Sequence, residues 1–371
     1  MSDGARSEVF AQGLLSGRVA LVTGGGTGLG KATAIELARC GARVLLAGRR
    51  AEVLQEAVRE IEGKSGARPD TVGWVAGDVR EPDEAMRLVA AARERYGRLD
   101  ALVNNAGGQY FTPAEGIVAR GWRAVWRLNV EGILNMAQAA VAGGLGEGLA
   151  KGGTGAGRAS ERAAGEGPVG ERIAGEGAAG EEQVGERTAG EGPVGEPVAG
   201  EGEGPAREGA AAREGAAARE GAAARGDRVR EGTIVNVTLS PHHGMPGMAH
   251  SGAARAAVEA LTRELAKRWA GEGVVVTAVA AGHFDTEAMS KYPDTVRAGM
   301  SRSVPLGRLG CPQEHAWLVA LLCSPLGRAL NGSTVTLDGA RDNWFGPWPP
   351  PALTGGTGEV PTEARRPALP G

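Results

Sequence analysis

The feature that most constrains the fold is a regular alternation of short β-branched runs with longer helical patterns between residues 18 and 142. Such alternation indicates βαβ units built around a parallel sheet. The predicted strands are RVALVTG (18–24), ARVLLAG (42–48), TVGWVAGDV (71–79) and LDALVNNAG (99–107), and the predicted helices include KATAIELARCG (31–41), AEVLQEAVREIEG (51–63) and one long helix, GWRAVWRLNVEGILNMAQAAV (121–141).

The pattern stops after residue 142 and resumes near residue 232. The intervening tract consists mainly of Gly, Glu, Ala and Arg, with GEGPVGER at 165 returning as GEGPVGEP at 190 and REGAAA occurring three times in succession. It has too little apolar side chain to offset the roughly 1–2 kcal/mol of backbone entropy that each ordered residue loses. We therefore expect 143–231 to be a disordered insertion, with a binding role as the alternative.

The second half restores the α/β pattern. The predicted strands are TIVNVTL (233–239), VVVTAVAAG (274–282) and STVTLDG (333–339), and the predicted helices are GAARAAVEALTRELAKRWAG (252–271) and PQEHAWLVALLCS (312–324). Residues 14–142 and 232–342 together suit one domain with a doubly wound parallel sheet. A Pro-rich tail, 343–371, follows it.

Charge and cysteine content exclude several classes of protein. A net charge of −3 gives no general basis for binding nucleic acid or an anionic membrane. The three cysteines, Cys40, Cys311 and Cys323, suit neither a disulfide framework nor a metal site. No apolar run reaches the roughly 20 residues that cross a bilayer, and MSDGARSEVF does not resemble a secretory signal. We expect a cytoplasmic protein.

A glycine-rich turn, TGGGTGLG, lies between the first predicted strand and its helix. Glycines there let backbone N–H groups and the helix N-terminus approach a dinucleotide pyrophosphate. A purely structural turn is the alternative. The predicted cofactor-contacting residues in this turn are Thr23, Gly24, Gly26, Thr27, Gly28, Leu29 and Gly30.

The end of the second strand predicts which dinucleotide binds. A carboxylate there would pair with the ribose 2′-OH of NADH, whereas this chain has Arg49 and Arg50, which favour the 2′-phosphate of NADPH. The alternative is a solvated basic pair. Further candidates follow the third and fourth strands at the same crevice: Asp78 and Val79 near the adenine, and then Asn104, Asn105, Ala106 and Gly107.

Several motifs together resemble the short-chain dehydrogenase/reductase family: TGxxxGxG, NNAG, Asn129 in LNVEG, and the DG at Asp338. LVNNAGGQYFTPAEG, HSGAARAAV and VPLGRLGCPQE are similar to peroxisomal trans-2-enoyl-CoA reductases and their bacterial relatives, near the 2,4-dienoyl-CoA reductases. The resemblance spans 14–142 and 232–342. It implies a Rossmann-type seven-stranded sheet, a homo-oligomer (tetramer or dimer) and catalysis by a Ser-Tyr-Lys-Asn set.

The chain departs from that catalytic set. Aligning HSGAARAAV on the family's Tyr-x-x-x-Lys block puts Ser251 at the tyrosine and Arg255 at the lysine, and the family serine falls on Thr238 or Leu239. A second register puts Glu259 and Arg263 at the same two positions. Neither register supplies a tyrosine.

The absence of a tyrosine phenol affects the reduction of a ketone more than the reduction of an enoyl thioester. Reduction of a ketone needs a proton for the alkoxide, and a serine is a poor acid. Reduction of an enoyl thioester generates an enolate oxygen that fixed hydrogen-bond donors stabilise. We therefore predict an NADPH-dependent reductase of an acyl-CoA-like trans-2-enoyl thioester. The alternatives are a 3-ketoacyl or alcohol oxidoreductase and a catalytically silent NADP(H)-binding scaffold.

Each predicted catalytic residue has a structural alternative. Ser251 is expected either to donate to the enolate oxygen or to cap a helix, and Arg255 either to hold the nicotinamide ribose or to be a surface charge. The family resemblance implies that Asn129 interrupts its helix, and the alternative is an ordinary polar helix residue.

Weaker candidates flank these residues. Tyr110 is expected to be a pocket wall or a proton donor, and Gln109 to face the substrate. The other candidates are His242, His243 and His250, taken as plain polar loop residues with proton donation near neutral pH as the alternative, and Trp122 and Trp126, taken as a core or interface stripe with a ligand cage as the alternative.

Overall fold

A computed structural model describes residues 6–147, 230–240, 247–287, 289 and 299–344 of the 371-residue chain. The strands are β1 (Val19–Thr23), β2 (Arg43–Gly48), β3 (Val72–Ala76), β4 (Ala101–Asn104), β5 (Gly232–Leu239), β6 (Val274–Ala281) and β7 (Thr334–Leu337). The helices are α1 (Gly28–Arg39), α2 (Ala51–Ser65), α3 (Pro82–Tyr96), α4 (Ala119–Trp126), α5 (Gly132–Ala142), α6 (Ala249–Trp269) and α7 (Pro312–Cys323).

The seven strands form one parallel sheet in the order β3-β2-β1-β4-β5-β6-β7. The strand order reverses between β1 and β4, which pair in register Ala20 with Ala101 and Val22 with Val103. In such a sheet the ligand crevice lies outside the carboxyl ends of the strands at the point of reversal. The predicted Rossmann-type doubly wound fold is confirmed, and it puts the glycine turn after β1 beside the crevice.

Helices cover both faces of the sheet, which is why β1 and β6 are buried along their whole length and are apolar except for one threonine each, Thr23 and Thr277. One hydrophobic cluster joins the sheet to α1, α2 and α7, through side chains such as Leu37, Ile61 and Leu322. The other joins it to α3, α5 and α6, through side chains such as Leu88 and Met136. The site therefore rests on a scaffold packed from both sides.

Two predicted helices differ in detail from the structure. The long helix predicted over 121–141 is divided by a π-helical turn, Arg127–Glu131, between α4 and α5. Helix α6 begins at Ala249, three residues before the predicted start. Simple helical periodicity does not reveal either feature, because a π turn adds one residue without changing the apolar character of the segment.

The predicted disordered insertion lies almost entirely outside the described residues, as does the tail beyond residue 344. The described residues on either side of the insertion meet at the amino ends of β4 and β5. The amide of Gly146 donates to the carbonyl of Leu99 over 2.7 Å, and the Arg230 guanidinium pairs with the Glu147 carboxylate. The insertion therefore leaves the domain at the edge of the sheet opposite the crevice.

None of the helices in the described residues is both long enough and apolar enough to cross a membrane.

Candidate cofactor and substrate site

The glycine turn after β1 packs closely against the end of β4. Gly24 has φ +64°, and an added Cβ there would lie 3.0 Å from the Cα of Ala106. A Cβ on Gly30 would lie 2.4 Å from the carbonyl oxygen of Gly24. These contacts require glycine, because a side chain at either position would displace the backbone.

Two polar residues fix this turn from within. The Thr23 hydroxyl accepts the backbone amides of Asn105 and Ala106, both over 3.0 Å, and the Asn105 side-chain amide donates to the carbonyl of Thr23 over 3.1 Å. Both side chains were predicted to lie near the cofactor. In the structure they join β1 to β4 and so shape the turn.

The beginning of α1 carries the backbone donors of the turn. Thr27 is the N-cap residue, its side chain makes no capping bond, and the first turn of the helix has no acidic residue of its own. Instead, the Gly28 amide donates to the Glu287 carboxylate over 3.0 Å. The helix N-terminus thus binds an oxyanion, as a pyrophosphate site requires. Of the other predicted turn residues, Gly26 lies beside Val53, and Leu29 packs against the core.

The side chains predicted to select the nucleotide follow β2, and those predicted to lie near the adenine follow β3. Arg49 and Arg50 follow β2 and are exposed. Asp78 accepts hydrogen bonds from the Arg80 side chain and backbone amide, and these bonds hold the pKa of Asp78 below its usual value. Val79 is buried, and its carbonyl accepts the side-chain amide of Asn135 over 3.2 Å.

Asn129 ties the π turn to the loop that follows β4. It is fully buried; its Oδ1 accepts the Gly108 amide over 3.1 Å, and its Nδ2 donates to the Gly108 carbonyl over 2.8 Å. The same Nδ2 donates to the carbonyl of Val125 over 2.9 Å. The expected interruption of the helix therefore occurs at Asn129, and its amide positions the NNAGG loop.

Arg255 comes to the same loop from α6. A Cβ on Gly107 would lie 3.0 Å from Arg255 Nη2 and 2.9 Å from Asn129 Oδ1, so both side chains border one small space. Arg255 Nη1 donates to the carbonyl of Val237 over 3.2 Å, while its buried Nε has no partner in the described residues. Burial lowers the pKa of Arg255 to about 10, so the group remains a cation at neutral pH.

Thr238 lies next to Arg255 at the end of β5. Its buried hydroxyl donates to the backbone carbonyl of Arg255 over 3.4 Å. Leu239, the other residue on which the family serine was expected to fall, has no hydroxyl to offer. The contact of Thr238 holds the first turns of α6 against the sheet.

Ser251 is fully buried one turn before Arg255, and its hydroxyl donates to Gln109 Oε1 over 3.2 Å. The helix-cap interpretation of Ser251 is wrong, because α6 begins at Ala249 with Met248 as its N-cap. The alternative register is also not supported, since Arg263 is exposed on the far side of α6. The first register brings Ser251 and Arg255 together at the crevice.

A second contact joins the same two segments. The rings of Tyr110 and His250 stack with centroids 4.2 Å apart, and both imidazole nitrogens are buried without a partner in the described residues. His250 is therefore in α6 and not in a loop, which corrects the expectation. The Tyr110 hydroxyl lies against Gly121 in α4, and its role as a pocket wall or a proton donor stays a prediction. His242 and His243 lie outside the described residues.

Trp122 and Trp126 stack on the outside of α4, with centroids 6.4 Å apart. Trp122 is 40% exposed, so the pair is not part of the core. The pair lies at the surface of the domain, and its role as an interface stripe stays a prediction.

Comparison with known proteins agrees with this geometry. Residues 18–149 match the family described as short chain dehydrogenase, and residues 215–340 match the one described as enoyl-(acyl carrier protein) reductase. The chain belongs to the short-chain dehydrogenase/reductase family. It is therefore an oxidoreductase of a family that uses a nicotinamide cofactor. The glycine turn has the close backbone approach that such a cofactor needs, and the Gly28 amide at the start of α1 already donates to a carboxylate.

Several named reductases of this family resemble the chain along most of its length. A probable 2,4-dienoyl-CoA reductase of Bacillus subtilis is 28% identical, covering 90% of this chain and 98% of that protein. A peroxisomal 2,4-dienoyl-CoA reductase of Arabidopsis thaliana is 26% identical, covering 89% and 86%. A 3-oxoacyl-[acyl-carrier-protein] reductase of Thermotoga maritima is also 26% identical, covering 88% and 98%.

Solved structures of the same family share the fold. A short chain dehydrogenase from Bacillus anthracis superposes with a TM-score of 0.58 at 28% identity, covering 87% of this chain and 96% of that one. A citronellol catabolism dehydrogenase of Pseudomonas aeruginosa gives a TM-score of 0.59 at 28% identity, covering 90% and 98%.

Sequence reasoning did not identify two charged residues of this site, Lys31 and Glu287. Glu287 follows β6, at the same edge of the sheet as the other strand ends, and that position was the available signal. Its contact with Gly28 joins residues far apart in the chain, so no local pattern shows it.

Proposed function

We propose that this short-chain dehydrogenase/reductase catalyses the NADPH-dependent reduction of the α,β double bond of a trans-2-enoyl thioester such as an enoyl-CoA. One observation carries the proposal. Ser251 and Arg255, which the sequence alignment matches to the family's tyrosine and lysine, both lie beside the loop after β4. The resemblance to two proteins named as 2,4-dienoyl-CoA reductases supports a thioester-conjugated double bond as the target.

The hydrogen-bond donors beside the loop after β4 are better able to stabilise an enolate oxygen than to protonate an alkoxide. Hydride for the reduction would come from a nicotinamide cofactor held at the glycine turn. The chain itself supplies donors: the hydroxyl of Ser251, the side-chain amide of Gln109 and the guanidinium of Arg255. Donors held at fixed positions stabilise the charge that develops on the thioester oxygen when hydride adds at Cβ, and the enolate then takes its proton at Cα from water. A serine is too weak an acid to deliver the proton that an alkoxide would need.

Ser251 has a single proton to give. In this structure that proton goes to Gln109 Oε1, so donation to a substrate oxygen requires the hydroxyl to turn away from Gln109. The Gln109 amide then has its own N–H groups for Ser251 or for the substrate. We propose that this exchange is how the pair adapts to a bound thioester.

Arg49 and Arg50 support NADPH as the preferred nucleotide. Both are exposed directly after β2, where they are available to a 2′-phosphate, and the β2 end itself carries no carboxylate. Neutralising such a pair would weaken NADPH binding far more than NADH binding.

The decisive assay follows NADPH oxidation with crotonyl-CoA, 2,4-hexadienoyl-CoA and acetoacetyl-CoA. We expect turnover of crotonyl-CoA to exceed that of acetoacetyl-CoA by at least about tenfold in kcat/KM. Ser251→Ala should lower kcat on crotonyl-CoA by about 100- to 1,000-fold, the cost of one donor to an oxyanion, with the NADPH Kd unchanged.

Other results would select the alternatives. Faster turnover of acetoacetyl-CoA would indicate a 3-ketoacyl reductase, a possibility raised by the similarity to the Thermotoga maritima protein. Faster turnover of the dienoyl substrate would move the assignment to a dienoyl-CoA reductase. Tight NADPH binding without turnover of any of the three would leave a silent scaffold.

A further inference from the structure

The start of α1 holds an anion that comes from a distant part of the chain. Glu287, in the segment after β6, accepts the Gly28 amide at one carboxylate oxygen over 3.0 Å. Its other oxygen accepts the Lys31 ammonium over 2.8 Å. We call this arrangement of Glu287, the Gly28 amide and Lys31 the Glu287 latch.

The latch lies over the glycine turn. A Cβ on Gly28 would lie 3.8 Å from the Cβ of Thr286, the residue before Glu287. Gly28 is the first residue of α1, and its amide is one of the donors that a helix leaves unsatisfied at its N-terminus. A pyrophosphate bound at the turn needs these same donors.

We propose that Glu287 competes with the cofactor pyrophosphate for the start of α1, and that Lys31 becomes a pyrophosphate ligand once Glu287 is displaced. This inference rests on the proposed use of a nicotinamide dinucleotide. It assigns Lys31 and Glu287 as residues that set the affinity of the site for the cofactor.

Relative exposure indicates which partner moves. The Glu287 side chain is 59% exposed, whereas that of Lys31 is 16% exposed and is also held by Glu60 over 2.8 Å. Displacement therefore releases Glu287 into solvent and leaves the ammonium in place. An oxyanion that replaces the carboxylate at Gly28 lies within reach of Lys31, because one carboxyl group now spans both donors.

The charges of the latch persist across the neutral range. Partial burial alone would raise the pKa of Glu287, but hydrogen bonds from Lys31 and from the Gly28 amide outweigh it and lower the pKa. For Lys31, partial burial opposes the charged form, but bonds to Glu287 and Glu60 outweigh it and raise the pKa. The Glu287 carboxylate and the cofactor pyrophosphate are therefore both anions, and they compete for the Gly28 amide and the Lys31 ammonium.

Glu287→Gln tests the proposal by removing the charge with little change of shape. We expect the Kd values of NADPH and NADH, measured by titration with the full-length protein, to fall by about three- to tenfold, because part of the binding free energy no longer goes into breaking the latch. The two nucleotides should respond equally, since they share the pyrophosphate. Without nucleotide, the variant should melt at a slightly lower temperature.

Two matched variants complete the experiment. Glu60→Gln removes the other carboxylate on Lys31 without touching Gly28, and it should not tighten nucleotide binding. Lys31→Gln in the Glu287→Gln background should weaken binding relative to Glu287→Gln alone, because the pyrophosphate then loses a ligand.

Each remaining outcome overturns the proposal in an identifiable way. Unchanged or weaker binding by Glu287→Gln rejects the competition, and tightening for NADPH alone would place Glu287 near the 2′-phosphate instead. No nucleotide binding by any form would overturn both this inference and the proposed cofactor. Tightening without turnover of crotonyl-CoA would support the latch while rejecting the proposed reaction.

Discussion

At the scale of single residues, the most consequential substitution is an arginine where the family resemblance leads one to expect a lysine. The Arg255 guanidinium is planar and forked, so it spans Val237 on one side and the space beside Gly107 on the other. A lysine would reach only one of these. Within the described residues its buried Nε has no partner, and we propose that this nitrogen donates to the ribose hydroxyls of the cofactor.

We predict that Arg255→Met raises the Kd of NADPH by about 10- to 100-fold, the cost of losing a hydrogen bond to a charged group in a buried site. Arg255→Lys keeps the charge and is the control; it should bind NADPH within about threefold of the parent protein. Thermal unfolding of each variant separates a binding defect from loss of the Val237 contact. Equal NADPH affinity of the Met variant would show that Arg255 is only structural.

At the scale of elements, the π turn between α4 and α5 explains how Asn129 leaves the helical hydrogen-bond pattern. A π turn is longer by one residue than a regular turn, and such turns are frequent at functional sites. Here the Asn129 side-chain amide donates to the carbonyl of Val125 within the helix and to the carbonyl of Gly108 in the neighbouring loop. The element therefore couples the helix to the floor of the crevice.

Helix α7 contains a titratable group that the reaction does not use. His315 is fully buried against α1, its Nδ1 lies 3.3 Å from the Thr33 hydroxyl, and the Phe284 ring packs edge-on to it. Burial lowers the pKa of His315 from 6.5 to about 4. His315 therefore binds a proton less readily in the folded protein than in the unfolded chain.

The lowered pKa of His315 makes the free energy of unfolding depend on pH. The contribution of His315 is fully present above pH 6.5, and stability is lost as the pH falls from there toward 4, by about 3 kcal/mol in total. Urea unfolding at a series of pH values measures this loss. His315→Gln should be less stable at pH 7 yet lose less stability between pH 6.5 and 4, and an unchanged slope in that range would refute the assignment.

At the scale of the whole molecule, the described ends of the insertion are held together without it. Glu147 and Arg230 form an ion pair, Arg230 also lies 3.6 Å from Glu272, and Arg18 pairs with Glu231 over 3.0 Å. The crevice is at the opposite edge of the sheet. We call these ion pairs, which join the described residues on either side of the insertion, the neck contacts.

We predict that replacing residues 148–229 by a short Gly-Ser turn leaves the NADPH Kd unchanged and shifts Tm by no more than about 3 °C, since the neck contacts remain. Calorimetry and nucleotide titration of the shortened chain test this. An insoluble or nucleotide-free product would mean that the insertion contributes to folding or to the site.

The family resemblance aligned Ser251 and Arg255 with the family's tyrosine and lysine, whereas the sequence by itself determined the order of strands and helices and the glycine turn. The element order and the glycine turn follow from the local hydrophobic period and the glycine spacing, and both of these patterns are visible among neighbouring residues of the sequence. It also placed Asn129 correctly within the interrupted helix, through the family resemblance.

Only the tertiary structure decided which of those residues touch. It paired Ser251 with Gln109, stacked His250 on Tyr110, and brought Glu287 to the first amide of α1. Strand order and loop paths set such contacts between residues far apart in the chain. A periodic pattern fixes the face on which a side chain lies, but not the partner it meets there, because the partner arrives from another element.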